Sequence, residues 1–371
     1  MCAQALDAVH GVVVSDPKAR YGYYGWGTVC RLEDGTLLAA TSGMRCHHIC
    51  PYGRTVICKS TDDGATWSAP RVIRDSPFDD RDASVVALGG GRVLAGWFTS
   101  DTRNYVAGCS ERPGWLEDVE PGLRWMTDEN APRFLGSWMR ISEDGGDSWG
   151  EAYRVPFLPP PHGPARLADG SLVCLGKSFD GDMAQLNTGE APVRAWASAD
   201  GRTWEARGTV PLLPGTYEGN YHEPHLVELP GGRLLAHVRL QSRGETDVTA
   251  AGYVQFSLVQ SVSDDGGRTW SDPEPLGFHG APPHLLRHSS GALVCSFGRR
   301  IEPFGERVVI SRDEGATWTE YVLRDDGPTS DLGYPATVEL GDGSLLTVYY
   351  QQPGTAEDKC ALLWSKWTLP A

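Results

Sequence analysis

The chain has no excess of basic residues, no long apolar run and no paired-cysteine motif, and each lack closes off a class of function. Its 33 lysines and arginines face 48 aspartates and glutamates, a formal net charge of −15. Nucleic acid and anionic membranes demand a basic face, so neither is an expected partner. No stretch approaches the roughly 20 apolar residues of a membrane-spanning helix. The N-terminal segment MCAQALDAVHGVVVSD lacks the basic start and apolar centre of a secretory leader, and the expectation is a soluble, cytoplasmic protein. Nine cysteines are an odd number without a CxxC pair, so no disulfide framework is suggested. Cys30, Cys58, Cys174 and Cys295 sit in apolar runs, where a free thiol is a small hydrophobe.

What the chain has in quantity is turn residues. The 45 glycines and 26 prolines among 371 residues are scattered between apolar runs, and hydrophobic content is an ordinary 40%. That pattern favours a fold of many tight turns over a disordered chain. One phrase recurs six times: an apolar run, a glycine turn, a second apolar run. It reads GTVCRLEDGTLLAAT from Gly27, ASVVALGGGRVLAGWF from Ala83, PARLADGSLVCLG from Pro164 and PHLVELPGGRLLAHVR from Pro224. The last two copies are PHLLRHSSGALVCSFGR from Pro283 and PATVELGDGSLLTVYY from Pro335. Each is the signature of a β-hairpin.

A second phrase follows five of the six hairpins: STDDGATW at Ser60, SEDGGDSW at Ser142, SADGRTW at Ser198, SDDGGRTW at Ser263 and SRDEGATW at Ser311. In such a turn Asp accepts backbone N–H bonds, Gly supplies positive φ, and Trp packs between sheets. Two hairpins make a four-stranded sheet, and six sheets arranged radially make a six-bladed all-β propeller. We read residues 1–371 as one such domain, with AVHGVVVS near the N-terminus completing the last sheet. The longest insertion, roughly residues 100–137, reads as a long loop over one face, a kind that often serves binding. One local cluster stands out: Cys46-His47-His48-Ile49-Cys50. Structural zinc sites draw on paired motifs separated along the chain. Here no second cluster accompanies the first, so no metal or other cofactor is expected.

The phrase S-x-D-x-G-x-T-W resembles the Asp box of the sialidase superfamily, and the resemblance covers almost the whole chain. It implies that the Asp boxes are structural and that the site lies at the opposite end of the propeller. Residues leading into the first strand of each unit would build it: Trp26, Asp82, His162, His222 with Glu223, His279 and Tyr334. Two stretches are specific. HEPHLVELPGGRLLAHVR resembles the stretch carrying a glutamate and an arginine, here Glu223 and Arg239. DLGYPATVELGDGSLLTVYY resembles the stretch carrying a nucleophilic tyrosine, here Tyr334. A phenol with a pKa of about 10 needs an adjacent base to attack. Its neutrality avoids repulsion with a substrate carboxylate.

The resemblance also implies arginines on that carboxylate, suited by their planar fork: Arg239, with Arg300 or Arg307, and Arg45 as a further contact. It departs at two places. The first family arginine is replaced in YYGWGTV, with Gly25 near its position, and the glutamate steadying it is replaced by Tyr349-Tyr350-Gln351. No acid lies between Ser42 and Thr61, where an acid/base aspartate is expected; the position falls on His48. Histidine titrates in the right range for that role, and Asp82, or Asp79 and Asp80, are the alternatives. The reading is an exo-glycosidase acting on a terminal, acidic sugar of a glycan. The alternatives are a polysaccharide lyase or uronate-linked glycosidase using the same pocket, and a non-catalytic carbohydrate-binding propeller.

Overall fold

The computed structural model describes residues 3–178, 191–244 and 246–370. Short strands, almost all joined antiparallel, form six sheets in chain order around a common axis. The first blade orders Tyr23–Arg31, Leu37–Arg45, Arg54–Ser60 and Arg71–Arg74; the second runs from Asp79–Gly89 out to Tyr153–Arg154. In the third, Leu172–Ser178 pairs with two short inner segments, Phe157–Leu158 and Ala165–Arg166. The prolines at 159, 160 and 161 break that inner strand, because proline brings no N–H to the ladder. The fourth and fifth blades begin at Tyr221–Glu228 and His284–Arg287, and the sixth at Gly333–Glu339. The sixth takes its outermost strand, Ala8–Val14, from the N-terminal end of the chain, paired with Ala361–Trp367. The strand expected from AVHGVVVS therefore closes the ring.

The Asp-box turns follow from local chemistry. In the first, the Asp62 carboxylate accepts the Thr66 amide at 2.9 Å, the Ser60 hydroxyl accepts the Gly64 amide at 3.0 Å, and the Trp67 indole N–H reaches the Gly64 carbonyl at 3.0 Å. Gly64 has φ +83°, and a Cβ there would come within 2.3 Å of Leu346 in the neighbouring blade. The turn is thus also a blade-to-blade contact, with Trp67 packed against the cluster that holds Leu346, Leu37 and Val56. Other apolar clusters likewise span adjacent sheets, as where Cys30, Ile57, Val85 and Val93 meet.

The insertion differs from the expected irregular loop. It folds into short helical segments, Thr102–Tyr105, Val106–Cys109, Trp115–Leu123 and Ala131–Phe134. Trp115 is fully buried, and its indole N–H donates to the Ile49 carbonyl at 2.7 Å. Trp115 and Val119 pack with Cys46, Ile49, Cys50 and Cys109. The insertion clamps the cysteine–histidine loop against the propeller.

Candidate active site

The inner strands of four blades carry the same backbone irregularity. Trp26, Asp82, Glu223 and Tyr334 have φ of 55°, 52°, 43° and 53°, and each lies at a bulge where its strand slips register with the next. A left-handed backbone costs a residue with a side chain roughly 1–3 kcal/mol and persists only where its surroundings fix it. A bulge re-aims a side chain out of the pleat. Here all four are aimed into one cavity of ≈ 290 Å³ at an end of the axis. Six blades supply equivalent positions, and four of them place a strained, functionalised residue there.

At its centre the Tyr334 hydroxyl donates to Glu223 Oε1 at 2.5 Å. Burial holds the Tyr334 proton on, the carboxylates of Glu223 and Asp82 reinforce this, and Arg239 and Arg300 oppose it. The other Glu223 oxygen takes Arg239, whose Nε and Nη2 donate to the Gln241 side chain at 3.0 and 2.6 Å. Arg300 donates to the Leu332 carbonyl at 3.0 Å and to the Tyr350 hydroxyl at 3.1 Å, and its guanidinium lies 5.6 Å from the Tyr334 ring. Burial pushes the Asp82 carboxyl up to about 7, with Arg81 pulling it down and Glu223 adding to the rise. Asp82 therefore carries a proton to near neutrality, and its Oδ1 has no hydrogen-bond partner.

His48 reaches the same cavity from the loop under the insertion. Its Nδ1 lies 2.9 Å from Asp331 Oδ1, and Tyr23 donates to both oxygens of that carboxylate at 3.0 and 3.1 Å. Burial lowers the His48 pKa against the charge of Asp331. Burial also opposes ionisation of Asp331, but His48, Arg300 and Tyr23 outweigh it and bring that carboxyl down to about 2. A neutral imidazole facing an ionised carboxylate places its proton on Nδ1 and leaves Nε2 an acceptor. The other members of the loop diverge. His47 turns to Asp118 at 2.9 Å, and Cys46 and Cys50 turn into the apolar cluster beneath the insertion.

Of the residues expected from sequence, Trp26, His48, Asp82, His222, Glu223, Arg239, Arg300 and Tyr334 line the cavity; Arg45, Arg307, His162 and His279 do not. Arg45 is fully buried and bidentate on Asp79, at 2.5 and 2.8 Å, behind the Trp26 ring. Arg307 donates to the Arg324 and Glu306 carbonyls between outer strands of its own blade, which decides between it and Arg300. His279 ends the outermost strand of the fourth blade, Glu274–His279, because the fifth blade's inner strand starts only at His284. His162 lies deeper along the axis, its ring centroid 6.4 Å from that of Tyr334. His222, lining the wall, is held neutral by burial and by Lys177 and Arg239, its pKa down to about 2.

Two residues escape a reading by motif. Arg81, directly before Asp82 in DRDAS, lies 4.3 Å from the Trp26 ring, with Nε and Nη1 buried and without hydrogen-bond partners. Asp79 is shared unequally: Arg45 holds it bidentate, while Arg81 comes only to 3.5 Å. Asp331, three residues before Tyr334, is the other. It is the first residue of the DLGYP stretch, which is the available signal; its partner His48 lies 283 residues away.

A model of the BNR repeat-like domain matches residues 124–347, more than half of the chain. The chain belongs to that family. This BNR repeat-like propeller is 25% identical over 345 residues to a sialidase of Micromonospora viridifaciens, covering 87% of the chain and 48% of the relative. It thus spans about half the length of the curated relative it matches. Among solved structures it resembles a protein of unknown function from Dyadobacter fermentans, with a TM-score of 0.75 at 22% identity over 99% of this chain and 100% of that one. It also resembles the intramolecular trans-sialidase of Ruminococcus gnavus solved with oseltamivir carboxylate, with a TM-score of 0.67 at 16% identity over 97% of each chain. At these identities the structural likeness establishes the BNR fold alone.

Proposed function

We propose that this BNR repeat-like propeller is a glycoside hydrolase that removes a terminal acidic sugar through a tyrosine nucleophile. The observation that carries the reading is the 2.5 Å hydrogen bond from the Tyr334 hydroxyl to Glu223, set in a cavity lined by Arg81, Arg239, Arg243, Arg300 and Lys177 on a chain of net charge −15. Such a lining selects an anionic ligand. Glu223 takes the phenol proton as the Tyr334 oxygen bonds to the anomeric carbon and the glycosidic C–O bond breaks. Asp82 gives its proton to the departing oxygen; in the second step it takes one from the water that displaces Tyr334, and Glu223 returns its proton to the Tyr334 oxygen as that bond breaks. Asp82 suits the acid role better than His48, because it is the one of the two that holds a proton near neutrality. His48, its Nδ1 committed to Asp331, is an acceptor for a sugar hydroxyl. Arg300 and Arg81 are assigned to the substrate's carboxylate, since Arg239 is occupied by Glu223 and Gln241.

The experiment is turnover of chromogenic acidic glycosides, with mass spectrometry of quenched reactions. The expected result is a glycosyl adduct on Tyr334 and loss of roughly 10³-fold or more in kcat for Tyr334→Phe. Wild-type turnover by that variant would overturn the nucleophile. A product absorbing in the near ultraviolet would replace hydrolysis with elimination from a uronate.

A further inference from the structure

Three imidazoles meet on the propeller axis beneath the candidate active site. They come from consecutive blades: His162, His225 and His284. The ring centroids are 5.1 Å apart for His162 and His284, 6.0 Å for His162 and His225, and 4.5 Å for the stacked pair His225 and His284. All three are at least nine-tenths buried, and both ring nitrogens of His162 lack any hydrogen-bond partner. They line a second cavity of ≈ 640 Å³, which none of the catalytic candidates lines.

Three converging histidines suggest a metal, but the proton positions here are those of the opposite kind of site. His225 and His284 occupy the same place in successive inner strands and make the same bond. His225 Nδ1 accepts the Leu285 amide at 2.9 Å, and His284 Nδ1 accepts the Thr337 amide at 3.2 Å, each from the next blade round the ring. An imidazole that accepts at Nδ1 and is uncharged carries its proton on Nε2. Burial keeps these rings neutral, each pKa well below its usual value. A metal-binding histidine is the reverse, donating its outer N–H and offering the inner lone pair. No group of three metal-ligating side chains with suitable geometry occurs among the described residues.

The walls agree in sign. Arg31, Arg166 and Arg287 line this cavity, and the guanidinium of none of them has a hydrogen-bond or ion-pair partner among the described residues. Glu228 and Glu339 also line it, but each already accepts a backbone amide, from Ala168 at 2.6 Å and Ser289 at 2.7 Å. Three cations against two carboxylates leave an excess positive charge on a strongly acidic protein.

We infer that the histidine cluster of the axial channel is a binding site for a small monovalent anion of halide size, held on the Nε2–H groups of His225 and His284 beside His162 and drawn in by the arginines of the channel wall. The site is separate from the catalytic cavity and does not depend on the reaction assigned there. It also gives His162, both of whose ring nitrogens are buried without a partner, a group to donate to.

The test uses the whole protein. Thermal unfolding is followed in sodium chloride against sodium gluconate at equal ionic strength, and crystals are soaked in sodium bromide and measured at the bromine edge. Expected are a saturable rise in Tm of roughly a few degrees with chloride and an anomalous peak among the three rings. His225→Asn and His284→Asn keep an acceptor for the neighbouring amide and lose Nε2–H; both should abolish the chloride response with the β-sheet circular dichroism unchanged. A water alone between the rings would overturn the inference. So would a bound transition metal, or an adventitious ion only, with a bromide peak but no solution response.

Discussion

At the residue scale, burial and partners hold Asp82, which lines the cavity, and Asp331, the partner of His48, in different protonation states. Asp82 holds its proton until about pH 7 because burial disfavours its charge, whereas Asp331 is ionised down to about pH 2. An acid that must be protonated loses rate as pH rises through its pKa. The alkaline limb of kcat/KM should therefore lie near pH 7, and Asp82→Asn should lower kcat roughly 10²–10⁴-fold and remove that limb; a pH–rate profile of both proteins checks it. Arg81 makes a different prediction. Its buried Nε and Nη1 await an acceptor, so Arg81→Gln should raise KM for acidic substrates roughly 10-fold or more while leaving neutral ones unaffected. Initial-rate kinetics on paired acidic and neutral glycosides would show this. Tyr334, Glu223 and Arg239 could be placed at the cavity from sequence because each belongs to a stretch of family resemblance that borders or includes a repeated hairpin. Arg81 and Asp331 were not, because what marks them is a missing partner in one case and a distant one in the other.

At the scale of elements, the blades were legible and the insertion was not. An Asp-box turn is closed by contacts within four residues, such as Asp62 to Thr66, so the sequence window contains its whole cause. The segment Trp115–Leu123 has apolar residues at 115, 119 and 123, a helical spacing, but Pro121 lies inside it and acids and glycines surround it. What makes it helical is a tertiary partner, the loop holding His48. Truncating that contact tests the dependence. Trp115→Ala should cost about 3–5 kcal/mol, expose the 46–52 loop to limited proteolysis, and lower kcat through His48 and Trp26, with the blades still folded. Denaturant titration with proteolytic mapping separates this from general unfolding.

At the scale of the whole molecule, acid is the stress the architecture resists least. His162, His225 and His284 are held neutral by burial, as are His222, with its pKa down to about 2, and His237, with its pKa down to about 4. In the unfolded chain each would titrate near 6.5. Below that pH the unfolded state binds protons that the folded state refuses, so stability falls as pH falls, by up to about 1.4 kcal/mol per pH unit for each histidine. Asp80 and Asp82, pushed up to about 7, and Glu306, raised by burial, act in the opposite sense, but the five histidines outnumber these three acids. Denaturant midpoints should therefore drop between pH 6 and 5, and a midpoint unchanged at pH 5 would overturn that balance. The ring closure carries a consequence of timing. Ala8–Val14 is made long before its partner Ala361–Trp367, with all the other blades between them in the chain. During synthesis the early strand must stay unpaired while five sheets assemble behind it. Only synthesis of Ala361–Trp367 lets the two strands meet, so until then the nascent propeller is an open arc with a bare edge, and this is the interval in which a chaperone or a second nascent copy has something to hold.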